Sequence, residues 1–120
     1  MGRPILVVDD DPAIRELIEQ ALGDEGYAVL TAEHGAAALQ IVASTTPAVI
    51  LLDMRMPVMD GWTFARQYRA AYQPAAPIVV CTAARDAGER AAQIGADATL
   101  PKPFRLDDLL DTVERFAGAA

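Results

Sequence analysis

The sequence predicts an α/β fold in which a parallel sheet of five strands is covered by helices on both faces. Five apolar, strand-like runs alternate with helical patterns along the 120 residues. The runs lack the alternating polar residues of a half-exposed strand, so both faces of the sheet are expected to be buried. This alternation is typical of a doubly wound sheet, in which right-handed crossovers place helices on two sides.

The first strand is predicted at 4–8, and a helix follows it from the third of three consecutive aspartates. Asp11 precedes Pro12, a common helix start because aspartate caps the first turn and proline suits the first helical position. Gly23 or Gly26 is expected to end the helix. The apolar residues recur with the spacing of one helix face, at Ile14, Leu17, Ile18, Ala21 and Leu22.

The rest of the chain continues the alternation of strand and helix. Further strand-like runs lie at 27–32, 48–52, 77–82 and 97–100. Further helical patterns lie at 35–45, 60–72, 86–95 and 106–117. A single domain spanning residues 1–120 is expected, because one hydrophobic core is sufficient for a chain of this size.

Composition narrows the classes of function. The formal net charge is −7 and the sequence holds no cluster of lysine and arginine, so direct binding of nucleic acid is not expected. No apolar run approaches the roughly 18 residues of a membrane span and no signal peptide is visible, so the expected location is the cytoplasm. Cys81, the only cysteine, lies in an apolar run and is expected in the core.

Three acidic residues are predicted to meet at one edge of the sheet. Asp9 and Asp10 follow the first strand, and Asp53 follows the third. If the strand order is 2-1-3-4-5, the first and third strands are neighbours, and ligands bind where the strand order reverses. Thr82 at the end of the fourth strand and Lys102 after the fifth are then expected at the rim of the same crevice.

This set of side chains favours a site for a divalent cation and a phosphoryl group. Packed carboxylates raise one another's pKa and destabilise a fold unless a cation neutralises them. Mg²⁺ prefers oxygen ligands and commonly binds one or two carboxylates together with a phosphoryl oxygen. A carboxylate can also attack a phosphoryl group to form an acyl phosphate, whose oxygens a hydroxyl and an ammonium group can neutralise.

The sequence resembles the receiver domain of two-component response regulators over essentially its whole length. Four segments carry the resemblance: VVDDDP at 7–12, LLDMRMPVMDGW at 51–62, VVCTAA at 79–84 and GADATLPKPF at 95–104. Their order and separations are specific, whereas an isolated pair of aspartates would not be. The resemblance implies a flavodoxin-like sheet of order 2-1-3-4-5 with five helices on two faces, and a signalling domain rather than an enzyme.

The resemblance also implies a phosphoacceptor with Mg²⁺ as its cofactor. Asp53 is similar to the phosphoacceptor and Asp10 to a direct Mg²⁺ ligand, while Asp9 would hold the ion mostly through water. Asp53 itself and the backbone carbonyl of Arg55 would be the other protein ligands. Arg55 occupies a position that in the family tunes hydrolysis of the acyl phosphate, and we expect its bulk and charge to obstruct the attacking water and lengthen the lifetime of the phosphate.

Two residues correspond to the switch of the family. Thr82 is similar to the hydroxyl that moves toward the phosphoryl group, and Lys102 to the cation that pairs with that group. The bond between Lys102 and Pro103 is expected to be cis, as in the family. An aromatic residue commonly stands three positions before the lysine and turns inward when the threonine moves. Here that position is Thr99, whose small side chain cannot fill the same pocket, so the usual coupling is expected to be weak or replaced.

The partners implied by the resemblance are a phosphoryl donor and an output. The donor would be a phosphohistidine on a histidine kinase or a histidine phosphotransfer protein, and the output would be a downstream protein or domain that the sequence does not identify. The family docks the donor on the first helix and the loop after the fifth strand, which here points to Ile14, Leu17, Pro103 and Phe104. The departure at Thr99 permits an alternative, a receiver-like interaction module that acts without regulated phosphorylation.

Two other classes share part of this pattern. A flavodoxin-like electron carrier needs hydroxyl and backbone donors after the first strand, where three acids would repel the flavin phosphate. A phosphatase of the haloacid dehalogenase kind places a second aspartate two residues after the nucleophile, where Arg55 stands in this chain. Both classes are therefore disfavoured.

Overall fold

The structure is a computed structural model that describes residues 2–120, apart from the side chain of Ala84. Strands and helices alternate as the sequence predicts. The strands are β1 (Ile5–Val8), β2 (Val29–Ala32), β3 (Val49–Leu52), β4 (Ile78–Val80) and β5 (Ala98–Thr99). The helices are α1 (Pro12–Asp24), α2 (Gly35–Val42), α3 (Gly61–Ala71), α4 (Ala84–Ile94) and α5 (Leu106–Ala117).

The strands are parallel and their order is β2-β1-β3-β4-β5, which confirms the predicted topology. β1 lies between β2 and β3, and Val8 pairs in register with Leu52. The Asp53 amide donates to the Val8 carbonyl at 2.9 Å, which extends the pairing by one residue. Asp9 and Asp53, the first residues beyond these strands, therefore emerge side by side at the carboxyl edge of the sheet.

Consecutive strand residues face opposite layers of the fold, which explains why the strands are apolar throughout. On β1, Leu6 and Val8 pack with α2 and α3, whereas Ile5 and Val7 pack with α1 and α5. α4 packs on the first of these layers through the partly buried Ile94. The helices thus cover both faces of the sheet.

Side chains at three helix starts satisfy backbone amides of the first turn. Asp11 caps α1 at 2.9 Å and Asp60 caps α3 at 2.8 Å, each through a carboxylate oxygen. At the start of α2, the Nδ1 atom of His34 accepts a hydrogen bond from the Ala37 amide at 3.1 Å. The only histidine of the chain therefore has a structural role at a helix end.

The observed elements differ from the predicted ones at their ends. α2 stops at Val42 rather than at 45, and β5 has only two residues. These limits are set by hydrogen bonding that a hydrophobic pattern does not report. Among the helices within residues 2–120, none has the length and apolar character that crossing a membrane requires.

Cys81 lies in the core, as predicted. It is 3% exposed and packs in the layer that contains α1 and α5. Burial raises the pKa of its thiol to about 12, so the group is protonated at neutral pH.

Candidate functional site

The carboxyl edge of the sheet brings together the acidic residues predicted from the sequence. Asp9 and Asp53 are buried, whereas Asp10 is exposed. One carboxylate oxygen from each of the three residues lies within 4.8 Å of the other two. In the described part of the chain, this is the only cluster of three or more potential metal-ligand side chains.

Lys102, which follows β5, neutralises part of this negative charge. Its ammonium nitrogen lies 2.7 Å from Asp9 Oδ2 and 3.8 Å from Asp53 Oδ1. Burial disfavours the charged ammonium, but its hydrogen bond with Asp9 and the charges of Asp53 and Asp9 outweigh burial and raise the pKa of Lys102. Lys102 is therefore a cation at neutral pH, and it is bound more closely to Asp9 than to Asp53.

The Asp53 carboxyl group is harder to ionise than an exposed aspartate. Burial, and after it the charge of Asp9, raise the pKa of Asp53 from 3.8 to about 6, although Lys102 and the Met54 amide act in the opposite direction. That amide donates to Oδ1 at 2.8 Å. Within residues 2–120, every side-chain oxygen that is fully buried has a hydrogen-bond partner. Oδ2 of Asp53 has no such partner among these residues, so it is not fully buried and is open to solvent.

The adjacent residues Asp9 and Asp10 have different surroundings. Asp9 accepts a hydrogen bond on each oxygen, from the Asp11 amide at 2.9 Å and from Lys102 at 2.7 Å. No hydrogen bond to the Asp10 side chain is found within the described residues, and the side chain is exposed. Asp10 can therefore offer both oxygens to a ligand, whereas those of Asp9 are already held by the protein.

Thr82 borders the site on the side of β4. It is 7% exposed, and its hydroxyl makes no hydrogen bond to another of the described residues. The Lys102 amide donates to the Thr82 carbonyl at 2.7 Å, so the segments that carry these two side chains lie next to each other. The bond between Lys102 and Pro103 is cis, as the resemblance implies.

The loop after β3 is fixed by backbone contacts to two glycines. The Gly61 amide donates to the Met54 carbonyl, and the Gly35 amide donates to the Met59 carbonyl, both at 2.9 Å. A Cβ atom at Gly61 would lie 2.6 Å from the Asp53 carbonyl oxygen and 2.9 Å from Met54 Cα. The start of α3 therefore lies directly against the backbone that positions Asp53.

We expect Gly61→Ala to lower the free energy of unfolding by about 1–3 kcal/mol, the usual effect of adding an atom where no space exists. The Cβ atom would contact backbone atoms, which cannot move aside as the end of a flexible side chain can. Gly88→Ala is the matched control, because no atom lies within 4 Å of a Cβ at this position in α4. The control should gain up to about 1 kcal/mol from helix propensity. Equilibrium urea unfolding measures both, and a Gly61→Ala variant as stable as the native chain would contradict this packing.

The residues predicted for partner docking lie around one cavity. Its volume is about 360 Å³, and it is lined by Ile14, Leu17, Ala83, Lys102, Pro103 and Phe104. Leu17 is 48% exposed, so the α1 face at this point is only partly covered by the fold. Thr99 is exposed at the end of β5, next to a separate surface cavity of about 530 Å³ that it shares with residues of α5.

Arg55 does not pair with the acidic cluster in the described residues. Its side chain is exposed, and its guanidinium carbon lies 6.0 Å from the centre of the Trp62 ring. Trp62 is a neighbour of the site that sequence reasoning did not single out, although the tryptophan follows directly after the MPVMDG segment.

The sequence is similar to a known family and to known proteins of the response regulator class. Residues 5–114 match the family model of the response regulator receiver domain. The chain is 45% identical over 108 residues to the response regulator MprA of Mycolicibacterium vanbaalenii, an alignment that covers 88% of this chain and 46% of that protein. The chain thus spans about half the length of the curated relatives that it matches.

Solved structures with the same fold include two response regulators. The chemotaxis response regulator CheY4 of Vibrio cholerae superimposes with a TM-score of 0.85 at 34% identity, covering 97% of this chain and 99% of that chain. TrrA of Thermotoga maritima, solved in complex with Mg²⁺-BeF, gives a TM-score of 0.83 at 34% identity, covering 95% of this chain and 98% of that chain. These likenesses confirm the fold class and the resemblance drawn from the four sequence segments.

Proposed function

The chain belongs to the response regulator receiver domain family, and we propose that it is the phosphoacceptor signalling domain of a two-component phosphorelay. In this proposal Asp53 receives a phosphoryl group from a phosphohistidine of a histidine kinase or a histidine phosphotransfer protein. The modified domain then changes its affinity for a downstream partner. The observation that carries the proposal is the Asp53 carboxylate, which lies among two further acids and Lys102 with one oxygen open to solvent.

The donor set fits Mg²⁺ as the cofactor. Three carboxylates offer hard oxygen ligands. Burial, and after it the charge of Asp9, raise the pKa of Asp53, and a cation beside the carboxylate would offset both effects. Asp10, Asp53 and the backbone carbonyl of Arg55 would hold the ion directly. Asp9 would act mostly through water, since both of its oxygens already accept hydrogen bonds. When bound, Mg²⁺ supplies electrostatic stabilisation to the phosphoryl oxygens.

Phosphoryl transfer would use the solvent-facing oxygen of Asp53. The Met54 amide holds Oδ1 at 2.8 Å, which leaves Oδ2 to attack phosphorus. As the Oδ2–phosphorus bond forms, the phosphorus–nitrogen bond of the donor breaks. Its electron pair stays on the donor imidazole, which takes up a proton from solvent. The Lys102 ammonium and the Thr82 hydroxyl then bind phosphoryl oxygens, and the movement of Thr82 is the change that a partner would sense.

We place the docking site of the phosphohistidine protein at the cavity next to Lys102. The cavity walls from α1 and from the loop after β5 are apolar, at Ile14, Leu17, Pro103 and Phe104, and Lys102 stands at their border with the acidic cluster. A protein seated there would bring its phosphohistidine to Asp53 and would cover the exposed part of Leu17.

The test is the intact mass of the chain after incubation with acetyl phosphate. We expect a gain of one phosphoryl group that requires Mg²⁺ and is lost in Asp53→Asn. Asp60→Asn is the matched control, because asparagine caps a helix about as well as aspartate and Asp60 lies outside the acidic cluster. If the folded native chain gains no mass, the interaction module without regulated phosphorylation becomes the better account.

The gain of mass with two different donors distinguishes an effect on donor docking from an effect on phosphoryl transfer itself. With a phosphorylated histidine phosphotransfer domain as the donor, Leu17→Ser should slow the gain of mass, because the exposed apolar contact is lost. With acetyl phosphate, which needs no docking surface, the rate should equal that of the native chain. Equal slowing with both donors would contradict the docking site.

A further inference from the structure

We infer that Trp62 is a positioning residue that holds the Arg55 side chain away from Asp53 and thereby sets the lifetime of the phosphoryl group. The inference rests on the proposed function, since it concerns hydrolysis of the phosphorylated Asp53. In the unmodified chain, Arg55 already lies over the Trp62 ring.

The Trp62 ring is fixed from the side of α4. Trp62 lies in the first turn of α3, and its Nε1–H donates to Gln93 Oε1 on α4 at 2.6 Å. The Arg90 guanidinium, also on α4, lies 5.0 Å from the ring centre. These two contacts from a neighbouring helix give the ring a defined orientation at the edge of the phosphoacceptor loop.

The Arg55 side chain can bind either the acidic cluster or the Trp62 ring. Two residues of extended chain span at most about 7 Å, so the long Arg55 side chain can reach the acidic cluster from its position after Asp53. Opposite charge favours that arrangement. Within the described residues, however, Arg55 forms no ion pair, and its guanidinium lies 6.0 Å from the Trp62 ring centre, within the range of a cation–π contact.

Phosphorylation of Asp53 would strengthen the attraction of Arg55 to the site. A phosphoryl group adds negative charge and acceptor oxygens next to Asp53, and both attract a guanidinium group. An Arg55 released from Trp62 would bind these oxygens and cover the phosphorus atom from the attacking water. The contact with Trp62 therefore favours the open arrangement and shortens the lifetime of the acyl phosphate.

Hydrolysis rates of the phosphorylated chain test the inference. Trp62→Leu should slow hydrolysis about two- to fivefold, the factor that corresponds to one exposed cation–π contact. In an Arg55→Ala background the same substitution should change nothing, and Trp62→Phe, which keeps an aromatic face, should restore most of the native rate. A rate change that disappears without Arg55 supports the positioning role. An unchanged rate, or a change that persists without Arg55, overturns it.

A second measurement needs neither metal nor phosphate. Trp62 is the only tryptophan of the chain, so the fluorescence of tryptophan reports on the surroundings of this ring alone. Arg55→Ala should increase quenching by acrylamide, because the ring loses a covering side chain, whereas Arg105→Ala removes an exposed arginine at the start of α5, away from the Trp62 ring, and should not. Equal quenching of the native chain and Arg55→Ala would contradict the contact.

The two measurements also separate this inference from the proposed function. If the native chain takes up no phosphoryl group, the proposed function fails, while acrylamide quenching still tests the contact between Arg55 and Trp62. If Trp62→Leu does not fold, Gln93→Ala replaces it, because Gln93 is exposed and its removal frees the ring without altering the core. Gln93→Ala should then slow hydrolysis in the same direction, and an unchanged rate would overturn the inference.

Discussion

Replacing Lys102 by methionine should lower the free energy of unfolding by about 3 kcal/mol at neutral pH without Mg²⁺, as expected when one partner of a buried ion pair is removed. Methionine keeps much of the apolar stem but takes away the ammonium that lies 2.7 Å from Asp9. Asp9 is 2% exposed and Asp53 is 7% exposed, so water cannot replace that cation easily. We expect one of the smaller losses of stability known for broken buried ion pairs, because the Lys102 side chain is itself 21% exposed. Equilibrium urea unfolding of the native chain and Lys102→Met measures the difference.

The double variant Asp9→Asn with Lys102→Met is the control for this experiment. It removes both charges of the closest pair, and it should recover much of the lost free energy because no unpaired charge is left at Asp9. Mg²⁺ should also restore part of the stability of Lys102→Met, since a cation bound only by the folded acids stabilises the fold. If Lys102→Met is as stable as the native chain, the pair with Asp9 does not offset the repulsion among the acids.

The fold and the composition of the site could be predicted because both follow from local patterns. Apolar strands without alternation require cover on two faces, and that requirement gives the doubly wound sheet. Once β1 and β3 are neighbours, residues that directly follow these strands must meet at one edge, as Asp9 and Asp53 do. Thr82 and Lys102 come to the same edge because β4 and β5 continue the sheet in order.

The detailed contacts of the site could not be predicted, because they depend on segments distant in the chain. Trp62 meets Gln93, 31 residues later, through the packing of α3 on α4. Val58 adopts a φ of +67°, a conformation that branched residues rarely take, where the loop is closed by the contacts of Gly35 and Gly61. The sequence also could not show that Lys102 lies closer to Asp9 than to Asp53, since the three residues belong to different loops.

The burial of Asp53 beside Asp9 should make the metal-free fold less stable as the pH rises. The pKa of Asp53 is raised from 3.8 to about 6, so the folded chain binds this proton more tightly than the unfolded chain does. The free energy of unfolding therefore falls as the pH rises between these two values, and the loss is complete above the folded pKa. A shift of about two units corresponds to about 3 kcal/mol. Asp53→Asn cannot ionise, so it should exceed the native chain in stability by up to this amount above the folded pKa, and by nothing below the unfolded one.

Urea unfolding as a function of pH, without and with Mg²⁺, distinguishes this effect from a general change of net charge. Asp111→Asn removes one negative charge from the exposed face of α5, and it should keep the shape of the native pH profile. Mg²⁺ should abolish the difference between the native chain and Asp53→Asn at neutral pH, because the ion offsets the cost of the buried Asp53 charge beside Asp9 only in the folded chain. If the stability of the metal-free native chain does not fall between the two pKa values, Lys102 already neutralises Asp53, and the electrostatic reason for a divalent cation at this edge of the sheet is lost.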